Sequence, residues 1–254
     1  MPQTSREERE GPRTLAVRVW RGREEGGFRE YRVPAQANQT VLDVVTWIQR
    51  ELDPTLAYRF ACRVGMCGSC AMTVNGRARW TCRTHVSRVA GPEGRLELRP
   101  LANLPVIRDL AADMTPFFDK WAKARGRFQP KDAPDGAVPE EFHVVPPASR
   151  QRREADAGIE CIGCGVCYAS CDVVSWNPDY LGPAALNRAW TLVNDVRDGA
   201  QAERLAAVAG DAGCHSCHST QSCTEHCPKQ LDPSAAIAGL KRRLFWDTLL
   251  GRRA

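Results

Sequence analysis

Two cysteine runs near the C-terminal end carry the chemistry around which this chain is organised. The first reads Cys161-Ile-Gly-Cys164-Gly-Val-Cys167-Tyr-Ala-Ser-Cys171, a C-x2-C-x2-C-x3-C spacing. The second reads Cys217-His-Ser-Thr220-Gln-Ser-Cys223-Thr-Glu-His-Cys227-Pro228, the same spacing with Thr220 in place of the second cysteine. Such runs hold iron–sulfur clusters, and where two occur together the fourth cysteine of each ligates the other run's cluster. Applied here, that rule predicts a [4Fe–4S] cluster on Cys161, Cys164, Cys167 and Cys227. It leaves Cys171, Cys217 and Cys223 for a second cluster, and three thiolates suit [3Fe–4S]. A threonine hydroxyl is a poor iron ligand beside a thiolate, which is softer and ionises far more easily. The competing reading is structural zinc. Zinc sites, however, use separated cysteine pairs with a long spacer, whereas a triple run crowds its sulfurs around one small object.

A third group lies in the N-terminal half: Cys62-Arg-Val-Gly-Met-Cys67-Gly-Ser-Cys70, with Cys82 twelve residues on. C-x4-C-x2-C…C is the plant-type [2Fe–2S] spacing. Gly65 and Gly68 suit a loop that wraps a cluster closely in unusual backbone conformations. Its N–H groups can then point at sulfur and stabilise an added electron. A zinc knuckle with one spare thiol is the competing reading here.

Pattern outlines the elements that must position these groups. Residues 1–13 are polar and predict a loose tail. Thr14 to Trp20 alternates as a strand, Gly26-Gly27 turns the chain, and Phe28 to Val33 forms a second strand. Thr40 with Asp43 opens a helix whose apolar face is Val41, Leu42, Val45, Ile48 and Leu52, ending at Pro54. Ala71 to Val74, an Asn75-Gly76 turn and Ala78 to Cys82 make a hairpin that carries the fourth ligand, and Arg95 to Arg99 closes the sheet. Residues 104–121 read as a connecting helical segment, and 125–147 as an extended Pro- and Gly-rich connection. Pro183 opens a helix with Ala185, Leu186, Ala189, Trp190 and Val193 on its apolar face. Another helix covers Ala202 to Ala209. Asp232 as N-cap, with Pro233 behind it, starts a last helix through about Leu250. The fold expected is α+β: a disordered tail 1–13, a β-grasp [2Fe–2S] ferredoxin-like domain 14–112, a connecting segment 113–150, and an all-α two-cluster ferredoxin-like domain 151–254.

Composition narrows the function. With 254 residues the chain can bury two modest cores, and 43% hydrophobic with 26% charged residues is ordinary for a soluble protein. No stretch approaches 18 apolar residues, so none is expected to span a bilayer. The net charge of +5 is spread over many arginines without a dense block, which reads as solvated surface rather than a nucleic-acid site. Twelve cysteines in metal-type spacings, with no apolar signal segment, predict a reducing compartment, and the glutamates near residue 8 argue against a mitochondrial transit peptide. There is no G-x-G-x-x-G after a strand, no Walker loop and no nucleophile elbow. Three clusters without a substrate motif describe a conductor of electrons.

The stretches LAYRFACRVGMCGSCAMTVNG, PVIRDLAADMTPFFDKW, CIGCGVCYASC with WNPDYLGPAAL, and CHSTQSCTEHCPKQLDP resemble the iron–sulfur subunit of succinate dehydrogenase and fumarate reductase, the succinate:quinone oxidoreductase family. The resemblance runs from about Leu15 to Leu244 and accounts for eleven of the twelve cysteines. It implies a flavoprotein partner whose covalent FAD oxidises succinate, so no catalytic residue is expected in this chain. It also implies electron flow through [2Fe–2S], [4Fe–4S] and [3Fe–4S] to quinone at one or more membrane-anchor subunits, with FAD and any haem b only in partner subunits. The chain would be peripheral on the cytoplasmic face of a bacterial inner membrane, with its N-terminal domain against the flavoprotein. Nucleic acid is not an expected partner.

Trp176, His218 and Lys241 match the family's quinone neighbourhood. An indole N–H can donate to a quinone oxygen, a histidine can relay protons near neutral pH, and a cation favours a reduced quinone oxygen. Each also has a plain alternative: Trp176 as core, His218 as an ordinary loop histidine, Lys241 as a solvated charge. Two positions depart from the family pattern. Asp172 stands where many members have proline, which leaves quinone type and proton handling open. Cys214 precedes the second run by three residues and reads as a free buried thiol, the alternative being a fourth ligand at the corner left by Thr220. Fumarate reduction would use the same subunit in reverse, and a subunit feeding a non-quinone acceptor is the remaining alternative.

Overall fold

Leu15, Val17 and Val19 alternate with exposed or half-exposed residues along Thr14–Arg21 (β1), so one face of the strand is apolar and must be covered. Gly27–Pro34 (β2) pairs with it antiparallel, matching Val17 to Tyr31 and Leu15 to Val33. Arg95–Arg99 (β5) lies parallel to β1 on its other side, and Ala71–Val74 (β3) and Arg77–Trp80 (β4) complete a five-stranded sheet in the order β2-β1-β5-β3-β4. Helix α1, Val41–Trp47, continues as a π-type turn over Ile48–Leu52 and covers the apolar face. Its Val41, Val44, Val45 and Ile48 join Val17, Val33, Val74 and Leu98 in one buried core. The expected capping box is present: Thr40 Oγ1 accepts the Asp43 N–H at 3.2 Å, and the Asp43 carboxylate accepts the Thr40 N–H at 2.9 Å.

This computed structural model describes residues 14–131 and 145–251, so the polar segment 1–13 and the centre of the expected connection 125–147 lie outside the described residues. The described chain forms two compact units. One runs to Pro100 and includes Val106–Ala112; the other takes Leu101–Pro105 and the chain from Asp113 on.

The first unit is tied by a buried charge knot. Arg21 pairs with Asp53 and, through Nε at 3.1 Å, with Asp109; both carboxylates are almost fully buried. Asp53 also accepts the Tyr31 hydroxyl at 2.8 Å and the Thr55 N–H at 3.2 Å. Asp109 accepts the N–H groups of Gly22 at 2.7 Å and Ala57 at 2.8 Å. This knot corrects the expectation of one helical segment over 104–121. Asp109 is left-handed at φ 53°, a conformation no helix can run through. Val106–Arg108 (β6) and Ala111–Ala112 (β7) therefore form a short ribbon around it, and a helix begins only at Thr115–Lys123 (α2), where Pro116 fits the first turn. The hairpin also ends sooner than expected. β4 stops at Trp80, and Cys82 lies in the 3-10 turn Thr81–Arg83.

The described residues of the second unit are helical: Arg150–Ile159 (α3), Val166–Ala169 (α4), Asp172–Trp176 (α5), Pro183–Val193 (α6), Gln201–Val208 (α7), Ser222–Glu225 (α8) and Pro233–Leu249 (α9). Helix α6 is buried on nearly every side and packs on α3, α7 and α9. Where α9 crosses it, a Cβ at Gly239 would stand 2.6 Å from the Trp190 ring, so only glycine permits that approach. Arg204, fully buried, pairs with Asp198 at 2.7 Å and donates to the carbonyls of Arg125 and Arg127. The stretch after α2 is thereby held against this unit. Asp232 caps α9 as expected, accepting the Ala235 N–H at 2.9 Å.

The Asp53 carboxyl is held well below the usual carboxylate range, first by the Thr55 hydroxyl and then by Tyr31 and Arg21, against the opposing effect of burial. A carboxyl with a depressed folded-state pKa stabilises fully above its unfolded pKa of about 3.9 and loses that contribution as pH falls. Asp53→Asn should lower the stability of the full chain by roughly 3 kcal/mol, the scale of a broken buried ion pair. In urea titrations the variant's stability should also fall less steeply below pH 4 than that of the parent.

Candidate metal centres

Cys62, Cys67 and Cys70 lie on the loop between α1 and β3. Gly65 and Gly68 there take φ values of 76° and 71°, and a Cβ at Gly65 would stand 3.0 Å from the Trp80 ring. The curl turns backbone donors inward: Cys62 Sγ accepts the N–H groups of Val64, Met66 and Cys67 at 3.4, 3.2 and 3.3 Å. Donors of this kind favour thiolate. The Cys67 thiol is lowered to about 6, chiefly by the Cys62 N–H, with Ser69 adding to it. Cys82 is pushed up to about 12 by burial, with the sulfur of Cys70 beside it adding to the rise. Leu42 of α1 packs under Cys70 and Cys82, flanked by Tyr58 and Trp80. Thr81 fixes the pair further by donating its hydroxyl to the Cys70 carbonyl at 2.8 Å. The four cysteines thus form one group, with Cys62 and Cys67 at its half-exposed rim.

In the second unit the runs cross. Cys161, Cys164 and Cys167 line one cavity together with Cys227 from the other run. Burial pushes Cys164 up to about 12 and raises Cys161 and Cys167 as well, the neighbouring sulfurs adding to each. Cys171 stands instead with Cys217 and Cys223. Burial raises its thiol too, and the N–H groups of Val174 and Val173 at the start of α5 oppose that rise. Cys217 Sγ accepts the Ser219 N–H at 3.4 Å, and Cys223 Sγ lies 3.5 Å from Ser234 Oγ. Thr220 is exposed, on a loop whose Ser219 and Gln221 are both left-handed. Cys214 is fully buried beside Cys217 and Lys241, and burial pushes its thiol up to about 11.

Soft sulfur donors gather in all three groups, with apolar walls at the first two and N–H groups aimed at sulfur at Cys62, Cys171 and Cys217, and these features fit iron–sulfur clusters. Among the described residues, no three His, Cys, Asp or Glu side chains gather around a point that could hold a single metal ion. The thiolates of a cluster bond different irons and need not converge on one point.

Trp176 and His218 meet edge to face with ring centroids 6.0 Å apart. Lys241 Nζ donates to the carbonyl of Cys217, the residue before His218, at 2.7 Å. The three quinone candidates are therefore brought together beside the Cys171–Cys217–Cys223 group. Trp176 is 62% exposed and is not core, while Lys241 is tied down rather than free in solvent. Asp172 is exposed in the first turn of α5. Two neighbours of this group were not singled out from sequence. Tyr180, almost fully buried, has its hydroxyl at the Cys217 sulfur, and burial first, then the three sulfurs, raise its pKa. Ser234 reaches Cys223 from the start of α9. A tyrosine two residues before a Gly-Pro helix start carries no sequence signal beyond core packing.

The description "2Fe-2S iron-sulfur cluster binding domain" matches residues 15–119, and "4Fe-4S dicluster domain" matches 160–232. The chain is 34% identical over 215 residues to the fumarate reductase iron-sulfur subunit of Haemophilus influenzae, covering 82% of each. It is 36% identical over 217 residues to the mitochondrial succinate dehydrogenase [ubiquinone] iron-sulfur subunit 1 of Oryza sativa subsp. japonica, covering 85% of this chain and 75% of that one. Among solved structures it resembles a chain of the Mycobacterium smegmatis Sdh1 complex in the apo form, with a TM-score of 0.79 at 29% identity over 91% of this chain and 95% of that one. The α+β architecture, a [2Fe–2S] domain followed by a helical two-cluster domain, is that of these proteins, and the chain belongs to the family of iron–sulfur subunits of succinate dehydrogenase and fumarate reductase.

Proposed function

We propose that this chain is the electron-transfer subunit of a succinate:quinone oxidoreductase, with succinate chemistry in a flavoprotein partner and quinone bound at a membrane anchor. In this reading Cys62, Cys67, Cys70 and Cys82 hold [2Fe–2S]; Cys161, Cys164, Cys167 and Cys227 hold [4Fe–4S]; and Cys171, Cys217 and Cys223 hold [3Fe–4S]. The observation that carries it is the crossing of the two C-terminal runs, which sorts their sulfurs into a group of four and a group of three and leaves Thr220 exposed. When bound, the clusters supply one-electron acceptors whose potentials depend on type, hydrogen bonds to sulfur and exposure. The chain's own residues do the rest. N–H groups of Val64, Met66 and Cys67 offset charge on Cys62, while apolar walls keep water from the Cys161 group. Trp176, largely exposed, carries an indole N–H that can donate to a quinone oxygen, and His218 beside it can exchange a proton with that oxygen. Lys241 steadies the Cys217 carbonyl below them.

Exposed apolar side chains support the partners proposed. Val64 and Met66 stand more than half exposed on the [2Fe–2S] loop, a surface suited to the flavoprotein. Trp176 and, at the end of α9, Phe245, Trp246 and Leu249 offer apolar surface suited to an anchor. Among the described residues no helix is long and apolar enough to cross a membrane, so attachment at the cytoplasmic face of a bacterial inner membrane would come through that anchor. Relatives carry succinate dehydrogenase and fumarate reductase names alike, and the same conduction serves either direction.

Cys82→Ala should abolish the [2Fe–2S] EPR signal while the signals of the other two centres remain. Persistence of an unchanged [2Fe–2S] signal would refute the ligand set. Thr220→Cys should add the missing thiolate, replacing the [3Fe–4S] signal by that of a second [4Fe–4S] cluster at lower potential. Succinate-driven quinone reduction by the assembled complex should slow about tenfold or more, a tenfold change being about 59 mV for a one-electron couple.

A further inference from the structure

Besides the cysteines, two polar side chains line the cavity of Cys161, Cys164, Cys167 and Cys227: Asn187 and Lys229. Asn187 is already committed. Its Nδ2 donates to the Gly158 carbonyl at 3.3 Å, the same oxygen that accepts the Cys161 N–H at 3.2 Å. It steadies the approach to Cys161 and brings no net charge. Lys229, two residues past Cys227, does bring one. Its side chain is 24% exposed, and its Nζ lies 3.1 Å from the carboxylate of Glu160, the residue before Cys161. The Glu160 side chain is 63% exposed and does not line the cavity. The ion pair therefore bridges the neighbours of two cysteines from opposite runs, its positive member belonging to a largely buried side chain that lines the cavity and its negative member to a largely exposed one.

Resting on the cluster assignment above, we propose that the Lys229–Glu160 pair sets the reduction potential of the centre held by Cys161, Cys164, Cys167 and Cys227. Lys229 raises that potential and Glu160 limits the rise. Reduction adds one negative charge to the cavity, and the largely buried cation of a residue that lines it stabilises the reduced form more than it would in water. The exposed carboxylate acts in the opposite sense, weakened by solvent. Arg188 on α6 favours negative charge on Cys161 as well; it lines a different cavity, donates from Nε to the Gly126 carbonyl and is the same in every variant compared below. Lys229 is thus a positioning charge toward the centre and not a ligand.

The test is an EPR-monitored redox titration of the [4Fe–4S] signal in the intact complex. Lys229→Met should move the midpoint to more negative values, by roughly the 59 mV that corresponds to a tenfold change in the reduced-to-oxidised ratio of a one-electron couple. Glu160→Gln should move it the other way by less, and Lys229→Arg, which keeps the cation, should leave it near the parent value. A Lys229→Met midpoint equal to the parent's at full signal intensity would overturn the inference, as would shifts of the same sign in Lys229→Met and Glu160→Gln. Should Lys229→Met assemble without its cluster, Glu160→Gln decides: a positive shift supports the dial, and an unmoved or negative one refutes it. Absence of any [4Fe–4S] signal from the unmodified complex would instead defeat the cluster assignment itself.

Discussion

Burying one sulfur beside another is the constraint on which this molecule depends. Ionised, the clustered thiols would repel one another where water cannot screen them; protonated, they make weak contacts. Burial indeed drives Cys164 and Cys82 far above the ordinary thiol range. In the proposed ligand assignment, iron cations shared among the sulfurs resolve that conflict, and loading the centres would be coupled to ordering their loops. Helices α4, α5 and α8, of only four or five residues, fit this account, since helices so short do not persist alone. Each carries or borders a cysteine of the two runs.

The two units meet the constraint differently. In the first, a sheet, α1 and the Arg21–Asp53–Asp109 knot make a core away from the sulfurs, and the loop of Cys62, Cys67 and Cys70 is draped on it. Tyr58 packs both against that core and against the separate cluster of Leu42, Cys70 and Cys82. The second unit has no sheet among its described residues. It is built on α6, whose burial on nearly all sides fixes α3 before the first run and α9 after the second. Its sulfur groups lie where those helices bring the runs together, which makes the polar residues nearby, Tyr180, Ser234 and Lys229, part of the electrostatics.

Much of this was legible in the sequence because its strongest signals are local. The capping box at Thr40, Pro183 opening α6 and Asp232 capping α9 each need only three or four adjacent residues. The cysteine spacings are local too, since a cluster fixes how much chain separates its ligands. What escaped depends on distant contacts. Residues 104–121 carry a helical pattern, yet a carboxylate bonded to Gly22 and Ala57 holds Asp109 left-handed and breaks it. Nothing near Tyr180 shows that its hydroxyl meets Cys217, and the Lys229–Glu160 pair joins residues 69 positions apart. The exposure of Trp176 is likewise a property of the assembled surface, not of the helical turn that bears it.

The proposed path to quinone depends on the group of three sulfurs and the exposed threonine that leaves it at three. Low-temperature EPR of the anaerobically isolated complex, first oxidised and then after succinate, tests this most directly. A [3Fe–4S] signal is expected in the oxidised sample and should disappear when succinate is added. An intact, iron-replete sample without that signal would contradict the three-sulfur assignment, and would point to Cys214 or another group completing the fourth corner.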